Sequence, residues 1–332
     1  MGSTCQCLYY KKKKGKESEL FPLQINKFNQ FHKNGLTILT AYRKYKIRKQ
    51  FHLRKRIDFD SFLTLIKTFK SPNEIVENTH SKLKRFNFIY EKVKNYHYLV
   101  RQKTVIDNTC VYLGYWFNHQ REGFGVQIWI DGSKFEGTWI NNKTNGIGRL
   151  IHADGDVYEG EWKNDKAEGF GEYTHSDGAK YIGHWLNDKQ EGEGRETWPD
   201  GGSYEGTYKE GKKEGLGKFI WADGSYYIGM FIDNMIHGNG KYFWNDGREY
   251  EGEWFQNKMH GKGVFKWKDG RKYVGDYFED KKHGYGIFSW PDGRYYEGPW
   301  VNGKQHGIGY FSSLNEEKKK GNWVEGRLVN HI

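Results

Sequence analysis

The sequence is poor in aliphatic residues, cysteines and long apolar runs, and each shortage excludes a class of protein. Only 36% of its 332 residues are hydrophobic, while aromatic residues make up 17% and glycine occurs 43 times. A chain of this composition cannot build a thick two-layer core of Leu, Ile and Val. It can build thin structures in which aromatic rings cover a glycine-rich backbone.

The three cysteines, Cys5, Cys7 and Cys110, are too few for a disulfide framework. This usage fits a reducing compartment, so we expect a cytoplasmic protein. No run of 18 apolar residues occurs, so we expect no transmembrane helix. The N-terminus also has no apolar stretch of the kind that forms a secretory signal.

The formal net charge of +11 is unevenly distributed. Residues 1–103 hold 24 Lys and Arg against 7 Asp and Glu, a net charge of +17. Residues 104–332 hold 29 against 35, a net charge of −6. Attraction to an acidic partner is therefore expected of the first part of the chain.

A 23-residue repeat runs from position 112 to the end of the chain. Each unit begins with an aromatic residue, has glycine two residues later and a second aromatic four residues later, and continues with Gly-x-Gly; eight units close on Asp-Gly. The first aromatics are Tyr112, Phe135, Tyr158, Tyr181, Tyr204, Tyr227, Tyr250, Tyr273 and Tyr296. A truncated tenth unit has Lys319 at this position, followed by Gly321 and Trp323. A register held this long indicates a repeat architecture.

The spacing within a unit predicts two β-strands. Tyr158, Gly160 and Trp162 are separated by two residues each and therefore share one face of a strand. The Asp-Gly pair at 177–178 predicts a hairpin turn, and Lys163–Glu168 is expected to form the longer turn at the other end. Each unit is then one hairpin, and successive hairpins continue the same meander.

Glycine normally weakens a strand, but an aromatic ring lying over the bare backbone offsets the loss. We therefore expect the glycines to make room for the Tyr and Trp rings. The predicted fold class is mainly β: an elongated, single-layer antiparallel β-ribbon of about ten hairpins over residues 104–332, preceded by an α-helical N-terminal region. Its length would be on the order of 90–100 Å.

The pattern Tyr-x-Gly-x-Trp, Gly-x-Gly and Asp-Gly at a 23-residue period resembles the MORN repeat over residues 112–332. The resemblance implies a scaffolding role, as in ciliary radial-spoke heads, junctional membrane tethers, cytoskeletal organisers and partners of signalling enzymes. Some members of the family carry a lipid kinase or SET methyltransferase domain. Nothing of that size or signature remains here outside the repeats.

The array shows no constellation typical of catalysis. Four histidines, His237, His260, His283 and His306, each precede a Gly-x-Gly pair and invite a metal-ladder interpretation. Equivalent residues lie two strands apart, roughly 9–10 Å, whereas zinc ligands lie about 2 Å from the ion. We interpret the histidines as structural turn residues and expect no enzyme activity, metal or cofactor.

Three helices are predicted before the array. The first covers residues 35–57 and is basic and amphipathic. Asp60 has the character of an N-cap for a second helix that runs to about Lys70. A capping box that begins at Ser71 predicts a third helix, which runs to about Arg101. The chain then divides into a basic tail (1–34), a helical region (35–103) and the array (104–332).

Six residues of the first helix follow the spacing of an IQ motif, which binds calmodulin or a light chain. They are Ile38, Leu39, Arg43, Lys44, Arg48 and Phe51. In such a complex the apolar face sits in a lobe and the basic residues meet its acidic rim. Leu39 stands in place of the usual glutamine, and Lys44 in place of the usual glycine. A basic helix that packs on the array or on an acidic partner such as a microtubule is the other interpretation.

The extreme N-terminus carries candidate lipidation sites. Gly2 is a potential myristoylation site, although Gln6 stands where Ser or Thr is preferred. Cys5 and Cys7 are candidates for palmitoylation, and the lysines at 11–14 would add electrostatic attraction to a membrane. An ordinary basic tail is the alternative.

Together these features predict a non-catalytic scaffold of a cytoskeletal assembly, with the ciliary axoneme as its place. Its expected partners are axonemal or cytoskeletal proteins, a calmodulin-like protein or tubulin, and no nucleic acid. The alternative is an acylated peripheral membrane tether. The array's negative charge argues against direct lipid binding by the ribbon itself.

Overall fold

The structure, a computed structural model, describes residues 65, 66, 68–84, 99–106, 108–314 and 316–332. Within these ranges, helix α1 (Glu74–Lys82) precedes a sheet of 22 strands, and residues 65, 66 and 68 are also helical. Each strand pairs antiparallel with the next along the chain, which makes an open meander. The one interruption is at His306, where β19 and β20 both pair with β18.

The strands have the following bounds: β1 (Leu99–Ile106), β2 (Cys110–Phe117), β3 (Gln120–Trp129), β4 (Lys134–Ile140), β5 (Lys143–Ile151), β6 (Val157–Lys163), β7 (Lys166–Thr174), β8 (Lys180–Leu186), β9 (Lys189–Thr197), β10 (Ser203–Lys209), β11 (Lys212–Ile220), β12 (Tyr226–Ile232), β13 (Met235–Phe243), β14 (Glu249–Phe255), β15 (Lys258–Lys266), β16 (Lys272–Phe278), β17 (Lys281–Ser289), β18 (Tyr295–Val301), β19 (Lys304–Gln305), β20 (Gly307–Ser312), β21 (Lys319–Val324) and β22 (Arg327–His331). The predicted single-layer antiparallel ribbon is confirmed. Strand β1 spans the predicted boundary between the helical region and the array.

The two turns of each repeat are the reverse of the sequence prediction. The tight turn is Asn164-Asp165, with φ of 52° and 69°, and not the Asp-Gly pair. Two successive positive φ angles define a type I′ turn, which Asn and Asp tolerate. The Asp165 side chain also accepts a hydrogen bond from the Thr144 backbone N–H at 2.7 Å, and so ties the turn to the preceding repeat.

The Asp-Gly pair lies instead in a longer loop, residues 175–179. The Asp177 carboxylate accepts a hydrogen bond from the Ala179 backbone N–H at 2.9 Å, and Gly178 has a φ of 97°. The loop closes through a backbone hydrogen bond from His175 to Ala179. Asp-Gly therefore suits a loop capped by the Asp side chain as well as it suits a tight hairpin turn. For this reason the motif alone predicted the wrong connection at each end of the hairpin.

The two glycines of each Gly-x-Gly pair have different roles. Gly169 has a φ of 72° and lies where the register between β6 and β7 shifts, so it is a bulge glycine. Gly171 lies directly opposite Gly160, and the Tyr158 ring covers both. A Cβ on either residue would lie 2.5 Å from the Tyr158 hydroxyl oxygen. The expectation that glycines make room for rings therefore holds for the second glycine of the pair.

The core is one continuous ladder of aromatic rings on one face of the sheet. Neighbouring rings meet edge to face, at centroid separations of 5.0 to 5.6 Å and interplanar angles of 72° to 90°. In order along the ribbon the rings are Trp116, Tyr112, Trp139, Phe135, Trp162, Tyr158, Trp185, Tyr181, Tyr208, Tyr204, Phe231, Tyr227, Trp254, Tyr250, Tyr277, Tyr273, Trp300, Tyr296 and Trp323.

Hydrogen bonds fix the orientation of these rings. The Tyr204 hydroxyl donates to the Thr207 carbonyl at 3.2 Å, and burial raises the pKa of Tyr204, so the hydroxyl stays a donor. Trp300 donates from its indole N–H to the carbonyl of Gly286 in the preceding repeat at 3.2 Å. The ladder ends where the Leu328 side chain takes the space over Gly321 that a tyrosine ring takes elsewhere.

Helix α1 lies against the opposite face of the sheet. Its N-cap is Asn73, which accepts from the N–H groups of residues 75 and 76, so the helix begins two residues later than the predicted capping box. The predicted extension to about Arg101 is wrong, because Arg101 is in β1. Val76 is fully buried between Ile151 and Val157 of the sheet. Leu83, at the C-cap of the helix, packs against the same cluster.

Buried charges under α1 complete the contact. Glu136 of β4 binds His80 at 2.8 Å and lies 3.5 Å from the Lys134 ammonium, which also lies 3.5 Å from Glu77. Lys134 is only 2% exposed. Burial raises the pKa of Glu136, but the His80 hydrogen bond and the charges of His80, Lys134 and Arg149 outweigh burial and leave that pKa below its ordinary value.

Substituting Gly217 by alanine should destabilise the array. The new Cβ would lie 2.5 Å from the Tyr204 hydroxyl oxygen and 2.6 Å from its ring. We expect a loss of about 1–3 kcal/mol in the free energy of unfolding, from overpacking. The control is Gly224→Ala, whose Cβ meets nothing within 4 Å but whose φ of 84° costs about 1 kcal/mol. Equal urea midpoints for the two variants would contradict the ring-over-glycine interpretation.

The docking of α1 should weaken in acid. The pKa of Glu136 is lower in the folded state than its usual 4.5, so its stabilisation is complete above that value and is lost as the pH falls through the folded pKa. Hydrogen exchange of the α1 amides should therefore accelerate as the pH falls below 4.5, after correction for intrinsic rates. The amides of β10–β12 serve as the internal reference. A Glu136→Gln variant that keeps the same acid dependence would contradict this assignment.

Candidate interaction surfaces of the array

The sheet presents two faces with different chemistry. We call the side that carries the ring ladder the ring face and the other side the back face. Most ring-face side chains are buried in contacts between repeats. The aromatic residue that begins each of the nine full units is at least nine-tenths buried. The large exposed apolar side chains of the central strands therefore lie mainly on the back face and along the tight turns.

The ring face also has a row of cation–aromatic pairs at the longer loops. Arg248 lies over Trp244 at 5.2 Å, and its guanidinium binds Asp246 at 2.8 Å. Arg271 and Arg294 repeat this arrangement over Trp267 and Trp290. The signal is visible in the sequence as Trp-x-Asp-Gly-Arg, three times at the 23-residue period, but sequence reasoning treated the Asp-Gly only as a turn.

Lys282 is the least typical cation of the ring face. Its ammonium lies 4.6 Å from the Trp300 ring and 4.8 Å from the Phe288 ring. Burial, with a smaller contribution from Arg271, lowers the pKa of Lys282 to about 8. Lys213 occupies the same repeat position but binds Glu196 at 2.8 Å. The aliphatic part of Lys282 thus packs on the ring ladder, and its ammonium makes cation–π contacts with the rings.

The residue before each bulge glycine forms a row along the tight turns. In four of the first five repeats it is glutamate, and Glu122 and Glu191 accept the backbone N–H of the following turn at 2.8 and 2.9 Å. In later repeats it is histidine, and the imidazoles alternate with phenylalanine rings at centroid separations of 5.1 to 5.8 Å. The alternating rings are His237, Phe255, His260, Phe278 and His283.

Where the first repeats have an apolar back face, the N-terminal region covers it. Phe69, only 8% exposed, packs with Leu113, Phe124 and Val126 of β2 and β3. Ser71 donates its hydroxyl proton to the Gly132 carbonyl at 2.6 Å, which ties the same segment to the loop of the first repeat. The N-terminal region and the array are therefore packed together through residues 66–84.

The last repeats also have an apolar back face, and no described residue covers it. Five side chains between 37% and 54% exposed form what we call the C-terminal patch: Val274, Tyr285, Ile287, Ile308 and Tyr310. They are neighbours through the strand register, because Val274 lies opposite Ile287, and Glu297 lies between Ile287 and Tyr310. The patch surrounds the Glu297–Lys318 ion pair, and a cluster of exposed apolar side chains of this kind marks interaction sites.

Charge changes sign along the array, which the overall −6 conceals. Residues 158–257 hold 11 Lys and Arg against 20 Asp and Glu, a net charge of −9. Residues 258–332 hold 14 against 9, a net charge of +5. The C-terminal patch therefore lies in the basic part of the array.

The residues predicted to bind calmodulin and those predicted to be lipidated lie outside the described residues, since all precede residue 65. Among the described residues, no cluster of three or more His, Cys, Asp or Glu has the arrangement of a metal site. The described helices include none that is long and apolar enough to span a membrane.

Two solved structures show a distant likeness to the chain. The TCP domain of SAS-4 of Drosophila melanogaster, solved in complex with a proline-rich motif of Ana2, is 13% identical over 59% of this chain and 99% of that chain, with a TM-score of 0.31. The TCP10 domain of Danio rerio CPAP is 11% identical over 70% of this chain and 99% of that one, with a TM-score of 0.24. These TM-scores are too low for any inference about this chain. No curated protein sequence matches it.

A family model gives a specific match. The MORN repeat matches nine consecutive segments: 112–134, 135–157, 158–180, 181–203, 204–226, 227–247, 250–270, 273–293 and 296–313. The truncated tenth unit, which forms β21 and β22, follows the last match. The MORN repeat is a non-enzymatic repeat module, and the matched segments cover more than half of the sequence. The chain therefore belongs to the MORN-repeat family.

Proposed function

We propose that this protein is a non-catalytic scaffold of a cytoskeletal assembly, with the ciliary axoneme as its place of action. It would hold protein partners along the ribbon and through its basic N-terminal region. The observation that carries the proposal is that the two faces of the sheet have different roles. The ring face is used to hold the repeats together, so the back face and the loops are left for partners.

The mechanical character of the array supports this role. Each repeat is joined to the next by an edge-to-face ring pair and by main-chain pairing. Where the second turn residue is Asn or Asp, its side chain also bonds to the previous repeat. A quasi-one-dimensional array of this kind keeps attached partners at fixed separations. Partner choice would then depend on sites that differ between repeats, such as the C-terminal patch.

The N-terminal region would add a second attachment. Its segment with the IQ-like residues is basic and amphipathic, which suits an acidic calmodulin-like protein or the acidic surface of tubulin. The chain that follows this segment is packed on the beginning of the ribbon, where Ile66 and Phe69 contact β2 and β3, and Val76 and Leu83 contact β5 and β6.

A fractionation experiment tests the cytoskeletal role. In ciliated cells that produce the full chain, we expect most of the protein to remain with detergent-insoluble axonemes, because a scaffold stays attached when membranes dissolve. Immunoblots of the soluble and insoluble fractions measure the ratio. Complete release with soluble protein would exclude a stable axonemal role.

The same cells test the IQ-like segment with a charge-reversed full chain that carries Arg43→Glu and Arg48→Glu. Recovery of calmodulin-like proteins in pull-downs should fall by about tenfold, which corresponds to 1.4 kcal/mol of binding free energy. Lys189→Glu, an exposed charge reversal within the array, is the matched control and should leave recovery unchanged. Equal recovery by all three chains would remove the light-chain hypothesis.

A peripheral membrane tether is the second candidate, favoured by Gly2, Cys5 and Cys7 next to the lysines at 11–14. Stable anchoring by acyl chains requires two signals, and this segment offers acylation together with a basic patch. If the protein is acylated, Gly2→Ala should move it from the membrane to the soluble fraction after cell lysis. An unchanged distribution, with no mass shift on the N-terminal peptide, would reject the tether.

A further inference from the structure

The C-terminal patch is an apolar surface on the back face that the described residues leave uncovered. It extends across β16, β17, β18 and β20, four neighbouring strands. At about 4.8 Å per strand its width is about 14 Å, close to the 10–12 Å diameter of an α-helix with its side chains. The width of the surface across the strands therefore matches that of one helix laid on the sheet.

The beginning of the same sheet already shows how its back face accepts a helix. There, α1 inserts Val76 between Ile151 and Val157, and the side-chain amide of its N-cap, Asn73, donates to the loop carbonyls of Asp131 and Ala153. The C-terminal patch shares the apolar part of this arrangement, since Val274 and Ile287 lie opposite each other on adjacent strands, as Ile151 and Val157 do. No described residue covers it.

The charge around the C-terminal patch determines which kind of helix can bind there. The acids of the patch are neutralised in place, since Glu297 binds Lys318 at 2.9 Å and Asp276 binds Lys262 at 2.9 Å. Lys272 lies two residues from Val274 on the same strand, and Lys320 lies directly opposite Tyr310. The surrounding residues 258–332 carry a net charge of +5. A basic segment, including residues 35–57 of this chain, would be repelled there.

We propose that the C-terminal patch binds an acidic amphipathic helix of a partner protein. The helix would place its apolar stripe on Ile287, Ile308 and Tyr310, and its carboxylates beside Lys272 and Lys320. This inference deepens the scaffold function and rests on it. It specifies where on the ribbon a partner docks and what the partner must carry.

A pair of designed peptides tests the proposal on the purified full chain. Both have 18 residues with leucine at helical positions i, i+3, i+4 and i+7, and one carries glutamate and the other lysine at the polar positions. Fluorescence anisotropy at low salt should give a dissociation constant at least about tenfold lower for the glutamate peptide. Raising the salt should reduce this difference, because exposed charges are screened.

Two variants of the full chain separate the apolar and electrostatic contributions. Ile287→Thr with Ile308→Thr, and separately Lys272→Gln with Lys320→Gln, should each weaken glutamate-peptide binding by at least about tenfold. The control is Leu186→Thr with Lys189→Gln, which makes one apolar-to-polar and one charge-removing change at exposed positions of the acidic part. It should bind as wild type does, and circular dichroism confirms that all variants keep the fold.

Three results would overturn the proposal. Tighter binding of the lysine peptide would indicate a basic occupant, such as the chain's own N-terminal region. Self-association of the full chain that Ile287→Thr with Ile308→Thr abolishes would make a second copy the occupant. Absence of binding by either peptide to the folded chain would mean that the patch is no helix site. Because these measurements use purified protein, their failure is distinguishable from release of the protein from axonemes.

Discussion

The structure depends on one contact, an aromatic ring lying flat on a pair of cross-strand glycines. Tyr158 on Gly160 and Gly171 is representative: neither glycine has room for a Cβ, and the ring is buried without a second layer of structure above it. A single-layer sheet has no opposing sheet or helix to bury its apolar groups along most of its length. The ring, the bare backbone and the next repeat's ring supply that burial instead.

This contact also limits what the array can do. Because the aromatic side chains of the ring face are buried in the ladder, recognition of partner proteins must come from residues that vary among repeats. The variation follows the order of the repeats: glutamates before most of the early bulge glycines give way to histidines, the small or acidic residue after the Asp-Gly pair gives way to arginines over tryptophans, and the charge changes from −9 to +5. The N-terminal region covers the apolar back face at one end of the ribbon. At the other end, no described residue covers the C-terminal patch.

Sequence reasoning succeeded where one residue type has one physical role. The aromatics at 23-residue intervals and the glycine two residues after each of them have such a role, and they predict the ribbon, its antiparallel pairing and the ring contacts. It failed where a residue type has two roles. Asp-Gly suits both a hairpin turn and a side-chain-capped loop, and Asn164-Asp165 carries a type I′ turn without glycine, so the two turns were exchanged. The start of α1 was misplaced because Ser71 and Asn73 are both good N-caps.

The sequence by itself determined the repeat, the strand faces and the number of hairpins, because these follow from local periodicity of side chains and from glycine's missing Cβ. Only the tertiary structure decided which turn is tight, which glycine forms the bulge and which glycine accepts a ring, because these depend on pairing between strands. The tertiary structure likewise decided that the C-terminal patch is exposed and that the charges under α1 are buried. Whether an apolar or charged residue is covered depends on what packs against it, and residues far apart in the chain supply that cover.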